Sequence, residues 1–290
     1  MYAITGTTGK VGGEIARNLI GQGESVRAVL RNRAKAADWA AMGCDIAVAD
    51  MANAEQLAAA FSGVEGVFIL PPSDFDPAPG YPEAKRVIES VSRALTTARP
   101  PRIVCLSTIG ADAPHDNLLT QRTLMEQSLN ALGLPVTFLR PGWFMENALW
   151  DVASARDEGV LRSFLQPADK AFPMVATKDV GLLAANLIRQ DSSETRIVEL
   201  EGPVRVSANE LARAFSQVLG RPVRVEIVLR EKWEGLFLAQ GMTNPLPRIR
   251  MLDGFNEGWI EFQDHGRSAV KGNTPLVEVI TALVAGSKAA

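Results

Sequence analysis

Ile4-Thr5-Gly6-Thr7-Thr8-Gly9-Lys10-Val11-Gly12-Gly13 is the stretch that decides the fold, because a short apolar strand runs through spaced glycines into a helix. The first glycine permits a tight turn, the second lets backbone approach a pyrophosphate, and the third allows the helix to pack closely on the strand. The helix start then offers N–H groups and a positive dipole end to phosphates. Three glycines alone are weak evidence in a chain with 24 of them. The strand before them and the helix after them favour a dinucleotide-binding turn over a plain tight turn. The predicted cofactor contacts of this turn are Gly6, Thr7, Thr8, Gly9, Lys10, Val11 and Gly12.

Up to about residue 140, short runs rich in Val and Ile alternate with longer stretches of helical period. This alternation is typical of a parallel sheet with crossover helices. The predicted strands are Tyr2–Thr5, Ser25–Leu30, Asp45–Ala49, Gly66–Leu70, Arg102–Leu106 and Val136–Leu139. The predicted helices lie near Val11–Gln22, Ala34–Met42, Ala54–Phe61, Pro82–Thr97 and Leu118–Leu132. Six strands and five crossovers in right-handed succession predict an α/β fold with a Rossmann-like doubly wound parallel sheet.

After Pro141 the alternation becomes irregular. We expect the stretch 172–201 to return to the main sheet, through Phe172–Val175, the helix Lys178–Arg189 and Arg196–Leu200. The sequence therefore predicts an NAD(P)-binding domain over residues 1–150 and a smaller α/β lobe for substrate or partner over 151–290. The predicted elements of that lobe include the helix Ala208–Leu219 and the strand Val223–Val228.

Composition narrows the function classes. A net charge of −3 without any lysine or arginine run provides no field for a phosphate backbone, so we expect no nucleic-acid partner. The apolar runs are strand-sized, which argues against a membrane span, and Gly6 follows the first residue too closely for a signal peptide, so we expect a cytoplasmic protein. Cys44 and Cys105 are far apart in apolar runs and only two histidines exist, so we expect buried reduced thiols and no metal centre.

The end of the second predicted strand indicates which cofactor binds. NAD-binding versions of this fold usually place an acidic residue here, for the ribose 2′-hydroxyl, whereas an arginine suits a 2′-phosphate. Arg31 stands where the acid would be, with Arg33 and Lys35 close behind, so NADP(H) is predicted over NAD(H). The alternative is a solvated basic loop. Asp50, next to Met51 at the end of the third strand, either hydrogen-bonds the adenine amino group or caps the following helix.

The loop after the fourth strand follows that strand at its carboxyl end. Because ligands of open α/β sheets sit at this edge, Leu70 and Pro71 are predicted cofactor contacts. The acidic, proline-rich loop from Pro71 to Pro82 is a candidate wall of the substrate entrance.

Three stretches carry a resemblance to a known family: Gly6-Thr7-Thr8-Gly9-Lys10-Val11-Gly12, Leu30-Arg31-Asn32, and above all Leu134-Pro135-Val136-Thr137-Phe138-Leu139-Arg140-Pro141-Gly142-Trp143-Phe144-Met145-Glu146-Asn147. They resemble the NmrA-like branch of the atypical short-chain dehydrogenases/reductases. The resemblance implies that the turn after the sixth strand passes near the nicotinamide, so Pro141, Gly142 and Phe144 are expected cofactor contacts. It also implies a choice among NADPH-dependent quinone and dye reductases, isoflavone-reductase-like enzymes and redox-sensing regulators.

The expected catalytic residues depart from the wider superfamily, in which a Ser, a Tyr and a Lys protonate the substrate oxygen. Ser107 is kept, but Leu118 and Arg122 stand at the tyrosine and lysine positions. Leucine has no proton to give, and a guanidinium stays charged at any working pH. Ser107 and Arg122 are therefore the predicted catalytic residues and also cofactor contacts. Their alternatives are an ordinary turn residue for Ser107 and an exposed helix residue for Arg122.

The missing proton donor favours an acceptor that spreads or neutralises the transferred charge. We therefore expect an NADPH-dependent oxidoreductase, a quinone reductase that passes hydride to a small aromatic or otherwise conjugated acceptor. A non-catalytic NADP(H) sensor is the main alternative, an epimerase or dehydratase is disfavoured, and a homodimer is kept as a possible assembly. Trp143, Phe144, Trp150 and Phe172 form either an aromatic wall for a flat substrate or core, and His265, beside Asp264, is either a pocket proton source or a surface residue.

Overall fold

An eight-stranded sheet is the main feature of the computed structural model, which describes residues 1–287. The strands are β1 Tyr2–Thr5, β2 Val26–Leu30, β3 Asp45–Val48, β4 Gly66–Ile69, β5 Ile103–Leu106, β6 Val136–Pro141, β7 Trp143–Phe144, β8 Val160–Ser163, β9 Met174–Val175, β10 Arg196–Glu201, β11 Arg224–Ile227 and β12 Val270–Lys271. The order across the large sheet is β12-β10-β6-β5-β4-β1-β2-β3. Neighbouring pairs from β1 to β6 are parallel, so the doubly wound fold class is confirmed.

Helices follow most of these strands. The α-helices of the described residues are α1 Lys10–Gly21, α2 Ala37–Ala41, α3 Ala54–Phe61, α4 Pro82–Ala98, α5 Thr120–Asn130, α6 Val152–Asp157, α7 Thr177–Leu187, α8 Ala208–Leu219, α9 Trp233–Ala239, α10 Leu246–Glu257 and α11 Leu276–Gly286. The 3₁₀ helices are Arg33–Lys35, Met145–Asp151, Arg230–Lys232 and Gln263–Gly266. No helix in the described range is long and apolar enough to cross a membrane.

The chain divides into two units. The first comprises Met1–Ala111, Leu119–Arg140 and Val180–Val198. The second comprises Asp112–Leu118, Pro141–Asp179 and the described chain from Glu199 onward.

The first unit is built around strands that are apolar on both faces. Every residue of β1, β4 and β5 is buried, as expected for parallel strands covered by helices on both sides. Strand β3 is the edge strand and has no fully buried residue. One face of the sheet packs with α3, α4 and α5 through a continuous core that includes Leu57, Phe61 and Leu95.

The second unit has its own core and two small sheets. Strand β7 pairs with β9, and β8 pairs with β11, in both cases parallel. Helix α8 begins at a capping box, in which the Ser207 hydroxyl accepts from the Glu210 N–H while the Glu210 carboxylate accepts from the Ser207 N–H. From there Ala208, Ala212 and Phe215 bury one face of α8 against α11 and the strands β8 and β11.

Three sequence expectations need correction. The run Phe172–Val175 does not return to the large sheet, because Met174–Val175 pairs with Trp143–Phe144 in a sheet of two strands. The helix expected over Ala34–Met42 is broken into a 3₁₀ turn and α2. The helix expected from Leu118 begins at Thr120, and the Leu118 N–H donates to the Pro247 carbonyl oxygen.

Close contact between β1 and α1 requires glycine at two positions. Gly6 has a φ of +68°, in the left-handed region, and a Cβ there would lie against the Leu70 side chain. A Cβ on Gly12 would fall inside the contact distance of the Gly6 carbonyl oxygen and lie 2.8 Å from the Thr5 carbonyl oxygen. Because both neighbours of Gly12 are backbone atoms, the helix and strand would have to separate to admit a methyl group.

We predict that Gly12→Ala destabilises the protein, by roughly 2–3 kcal/mol in the free energy of unfolding measured with urea. The matched control is Gly21→Ala, because Gly21 ends the same helix and a Cβ there would meet nothing within 4 Å. This control is expected to lose no stability, since alanine favours the helical conformation. Equal effects of the two substitutions would contradict the packing argument.

Candidate functional site

The glycine turn has the features of a pyrophosphate cradle. Helix α1 begins after Gly9, has no side-chain cap and has no acidic residue in its first turn. Thr8, Gly9 and Lys10 are exposed, so the first N–H groups of the helix face a region that a ligand can enter. The Thr7 Oγ1 atom is buried and has no hydrogen-bond partner within the described residues. A cradle that no side chain fills, with an orphaned hydroxyl beside it, fits a dinucleotide.

The end of β4 is held beside this turn by Thr5. Its hydroxyl donates to the Phe68 carbonyl oxygen at 3.0 Å and accepts from the Leu70 N–H at 2.7 Å. The Leu70 side chain thereby comes into contact with Gly6. The structure thus brings the predicted contact Leu70 together with the predicted glycine turn.

The basic loop after β2 is solvated. Arg31, Arg33 and Lys35 are all exposed. The loop is shaped by Asn32, whose side-chain oxygen accepts from the Ala34 N–H at 2.9 Å. The side chains of these three cations can therefore extend into solvent and contact an anion there.

Asp50 follows β3 at the same edge of the sheet, where the Ala49 N–H donates to the Leu30 carbonyl oxygen at 2.9 Å. Its side chain accepts from the Ala52 N–H at 2.8 Å, which closes a local Asx turn. The N-cap of α3 is Asn53, so the capping alternative for Asp50 was wrong. Its neighbour Met51 is half-buried against the core under the sheet.

Arg122 is half-buried rather than an exposed helix residue. Its guanidinium donates to the carbonyl oxygen of Pro71 at 2.9 Å, to that of Pro72 at 3.3 Å and to the Ser73 hydroxyl at 2.8 Å. Burial lowers the pKa of Arg122 to about 10, so the side chain is still a cation at neutral pH. Arg122 therefore fixes the start of the loop after β4 and places positive charge there.

Ser107 belongs to a buried network that the sequence analysis missed. Its hydroxyl donates to Glu126 Oε1, and Arg140 binds the same carboxylate through Nε at 2.9 Å and Nη2 at 2.7 Å. The Arg140 side chain is only 4% exposed. Because the carboxylate paired with Arg140 acts only as an acceptor, the Ser107 hydrogen is directed at Glu126, and its oxygen can accept but not donate elsewhere.

No local sequence pattern predicts this network, because Glu126 lies 14 residues from Arg140 and 19 residues from Ser107 in the sequence. The one available signal was an arginine near the end of a buried strand that is otherwise uncharged. A charge at such a position calls for a counter-charge in the fold, because an unpaired ion is costly to bury.

The predicted contacts Pro141, Gly142 and Phe144 lie in the second unit. A Cβ on Gly142 would lie 2.5 Å from the Pro173 carbonyl oxygen, and the Gly142 N–H donates to the Leu200 carbonyl oxygen at 2.9 Å. Glycine is therefore needed for packing at this turn. Pro141 ends β6, and Phe144 ends β7 with a half-buried side chain.

The predicted aromatic wall is partly core. Phe172 is buried, and both Phe172 and Trp143 pack edge-on against Phe255, with ring centroids 6.3 and 5.3 Å apart. Trp150 is exposed. Phe172 therefore has the alternative, structural role that the sequence left open.

Two acidic residues of the second unit were not singled out from the sequence. Glu146 Oε1 accepts from the Thr177 N–H at 2.8 Å, while Glu146 Oε2 is buried and has no partner in the described chain. Burial raises the pKa of Asp151 to about 7. Both follow the Pro141-Gly142 turn, and Asp151 is a group that can exchange a proton near neutral pH.

The remaining candidates have structural roles. His265 is exposed, which agrees with the surface alternative, and the neighbouring Asp264 carboxylate accepts from Ser268. Cys44 and Cys105 are buried as expected. Burial raises the pKa of the Cys105 thiol to about 12, so this cysteine is not a nucleophile.

A doubly wound sheet whose first helix starts at such a glycine turn defines the class of Rossmann-type dinucleotide-binding proteins. Within that class, the chain belongs to the NmrA-like family, which matches residues 2–246. The resemblance seen in the sequence is thus confirmed.

Several similar proteins are named as reductases. The NAD(P)H azoreductase of Xenophilus azovorans is 28% identical over 249 residues, covering 85% of this chain and 83% of that protein. Quinone oxidoreductase 2 of Escherichia coli is 29% identical over 226 residues, covering 77% and 76%. The crystal structure of the Escherichia coli NADPH-dependent quinone oxidoreductase in complex with NADPH matches with a TM-score of 0.81 at 24% identity, over 98% of this chain and 99% of that one.

We predict that Glu126→Gln lowers the free energy of unfolding by about 3 kcal/mol, because the buried Arg140 guanidinium loses the carboxylate that binds its Nε and Nη2 atoms. Urea denaturation at neutral pH measures this change. The control is Glu158→Gln, which removes the carboxylate of an exposed pair with Arg162 and is expected to change stability little. A loss as small as that of the control would show that the buried pair is not needed for stability.

Proposed function

We propose that this chain is an NADPH-dependent reductase that transfers hydride directly to a quinone-like or otherwise conjugated acceptor. The observation that carries the proposal is the glycine turn, with its uncapped helix start and its exposed basic loop after β2. In support, two relatives that cover more than three quarters of the chain are named as an azoreductase and a quinone oxidoreductase. We further propose that the first unit holds the cofactor and the second unit holds the acceptor.

NADP(H) is favoured over NAD(H) by the charges after β2. Arg31, Arg33 and Lys35 are exposed cations at the position where an acidic residue would accept from a ribose 2′-hydroxyl. A guanidinium can bind a 2′-phosphate through two parallel hydrogen bonds. The relatives agree with this cofactor, since one is named for NAD(P)H and the similar crystal structure contains NADPH.

The choice of acceptor follows from the groups that cannot give a proton. The Ser107 hydrogen is directed at Glu126, and Arg122 is a cation whose hydrogens go to Pro71, Pro72 and Ser73. A carbonyl acceptor needs a proton donor for its developing alkoxide. A quinone spreads the charge of the incoming hydride over its ring system and then takes a proton from water.

When bound, NADPH would supply a hydride, which carries both electrons of the reduction, and the chain supplies position and charge. The uncapped start of α1 supports binding of the pyrophosphate by the Lys10, Val11 and Gly12 amides, with Arg31 binding the 2′-phosphate. Ser107, with only acceptor lone pairs to offer, can orient an N–H or O–H group of the cofactor. Catalysis of this kind rests on orientation rather than on acid–base chemistry.

The test is to mix the purified protein with NADPH and a panel of quinones and azo dyes and to follow the absorbance of the reduced nicotinamide. We expect NADPH oxidation that depends on both the protein and the acceptor. The control is Gly9→Asp, which places a carboxylate at the exposed start of α1, where a Cβ would meet only the Gly6 carbonyl oxygen at 3.3 Å, and should abolish turnover. Tight binding of both NADPH and NADP⁺ without turnover on any acceptor would contradict the proposal and favour a cofactor sensor.

For the cofactor, we predict that Arg31→Asp weakens NADPH binding by roughly 10- to 100-fold and leaves NADH binding nearly unchanged, because a charge-assisted contact with the 2′-phosphate is lost. Calorimetric titration with each coenzyme measures this difference. Arg93→Asp, which reverses the charge of an exposed arginine on α4, is the matched control and should bind both coenzymes normally. An equal loss for NADPH and NADH would remove Arg31 from the phosphate site.

A further inference from the structure

Arg248 is a half-buried cation in the second unit that has no counter-charge. It lies in the first turn of α10, with its guanidinium carbon 4.4 Å from the centroid of the Phe237 ring. Its Nη1 atom contacts the Met242 sulfur at 3.7 Å. Within the described residues, Arg248 forms no salt bridge and donates no hydrogen bond to oxygen. Four of its five N–H groups therefore remain available to a ligand.

Two other arginines of this unit, half-buried Arg205 and exposed Arg230, are paired with carboxylates. Arg205 binds Glu261 through two hydrogen bonds of 2.8 and 3.0 Å and also reaches Glu201. Arg230 lies over the Trp233 ring, as Arg248 lies over Phe237, but it also binds Asp253. Arg248 has the aromatic contact without the carboxylate. Partial burial of an unpaired guanidinium is unfavourable unless another anion completes the site.

The surroundings of Arg248 make binding of an anion more favourable. The N-terminal end of α10 carries partial positive charge, and no acidic residue occupies its first turn. Burial lowers the pKa of Arg248, with no carboxylate nearby to oppose the effect. A cation at a positive helix end, shielded from water, gains more from an incoming anion than an exposed arginine does.

Aromatic surface adjoins this cation. The Phe237 ring that Arg248 covers also packs against Phe164, at a centroid distance of 5.3 Å, and Phe164 is only half-buried. Phe164 packs edge-on to Trp233 as well, at 5.8 Å. A half-buried ring therefore packs on the same Phe237 that Arg248 covers, which suits a flat ligand with a charged substituent.

The position of α10 relates this site to the chemistry proposed above. The Pro247 carbonyl oxygen, one residue before Arg248, accepts from the Leu118 N–H at 2.9 Å. Leu118 stands where the sequence count places the missing tyrosine. The backbone that carries Arg248 is thus tied to the segment where the wider superfamily carries its proton donor.

We propose that Arg248 binds an anionic substituent, a carboxylate, sulfonate or phosphate, of an aromatic acceptor whose ring lies against Phe164. The inference rests on the proposed function for the identity of the reaction, whereas binding of the anion does not depend on turnover. The site selects negatively charged conjugated acceptors over neutral ones of the same ring system.

The test uses 1,4-naphthoquinone and 1,4-naphthoquinone-2-sulfonate as a matched pair of acceptors. Arg248→Met keeps side-chain bulk over Phe237 but removes the charge, and should lower kcat/KM for the sulfonate by roughly 10- to 100-fold relative to the neutral quinone. Arg248→Lys should retain part of the preference, because it keeps the charge without the planar fork. Arg250→Met, which removes an exposed cation from the same helix, is the matched control and should leave the ratio unchanged.

A second measurement is independent of turnover. Calorimetry should detect binding of naphthalene-2-sulfonate to the wild type and to Arg250→Met, and no binding to Arg248→Met, while the NADPH affinity of all three is the same. A fall in NADPH affinity on Arg248→Met would assign the guanidinium to a cofactor phosphate and overturn the proposal.

The two proposals fail in different ways. Loss of turnover with every acceptor but intact, Arg248-dependent sulfonate binding would remove the reductase function and keep the anion site. Turnover of both quinones with a ratio that Arg248→Met does not change, or no sulfonate binding to the wild type, would remove the anion site and keep the reductase.

Discussion

The close approach of α1 to β1 is the constraint on which the rest of this structure depends. Backbone meets backbone at Gly12, where the carbonyl oxygens of Thr5 and Gly6 leave no room for a Cβ. Only because the helix begins this near the strand do its first amides lie at the carboxyl edge of the sheet, without a side chain in front of them. The Thr5 hydroxyl then bridges to β4 and places Leu70 against the same turn. The close packing of α1 on β1 and the position of the helix amides at the edge of the sheet therefore depend on the same glycine turn.

The sequence predicted what is encoded locally and missed what is encoded by pairing in space. Buried strands such as Gly66–Ile69 are short apolar runs between turn residues. The six predicted strands lie in the sheet in the order β6-β5-β4-β1-β2-β3, which is that of a doubly wound fold. The run that ends in Met174–Val175 has the same local character, yet it pairs with Trp143–Phe144, and no periodicity distinguishes one partner strand from another. The same limit applied to the site, where the glycine turn could be recognised from spacing but the partner of Ser107 could not.

Three arginines show how differently this chain shields a guanidinium. Arg140 is paired with a carboxylate, so its charge is used up in holding the fold. Arg122 is surrounded by carbonyl and hydroxyl oxygens, which satisfy its hydrogens but leave its net charge in place beside the loop after β4. Within the described residues, Arg248 has neither a carboxylate nor an oxygen acceptor, and its guanidinium contacts the Phe237 ring and the Met242 sulfur. Each step in this series leaves more of the positive charge available, and the residues with charge left over are the ones through which a ligand can gain binding energy.

Under the proposed function, neither Ser107 nor Arg122 gives a proton to the acceptor, so selectivity has to come from binding. An enzyme that reduces a carbonyl can reject a wrong substrate at the transfer step, because the oxygen of that substrate does not reach the proton donor. A conjugated acceptor takes its proton from water later, so the transfer step cannot discriminate in this way. Discrimination must then come from contacts that exist before the transfer, namely a ring face and a charge at a fixed distance from it. The second unit supplies both in Phe164 and Arg248, joined through the buried Phe237 ring. Under the proposed function, the directed Ser107 hydroxyl and the Arg248 guanidinium on α10 would both suit one kind of acceptor, because an enzyme that positions rather than protonates needs a strong anchor for what it positions.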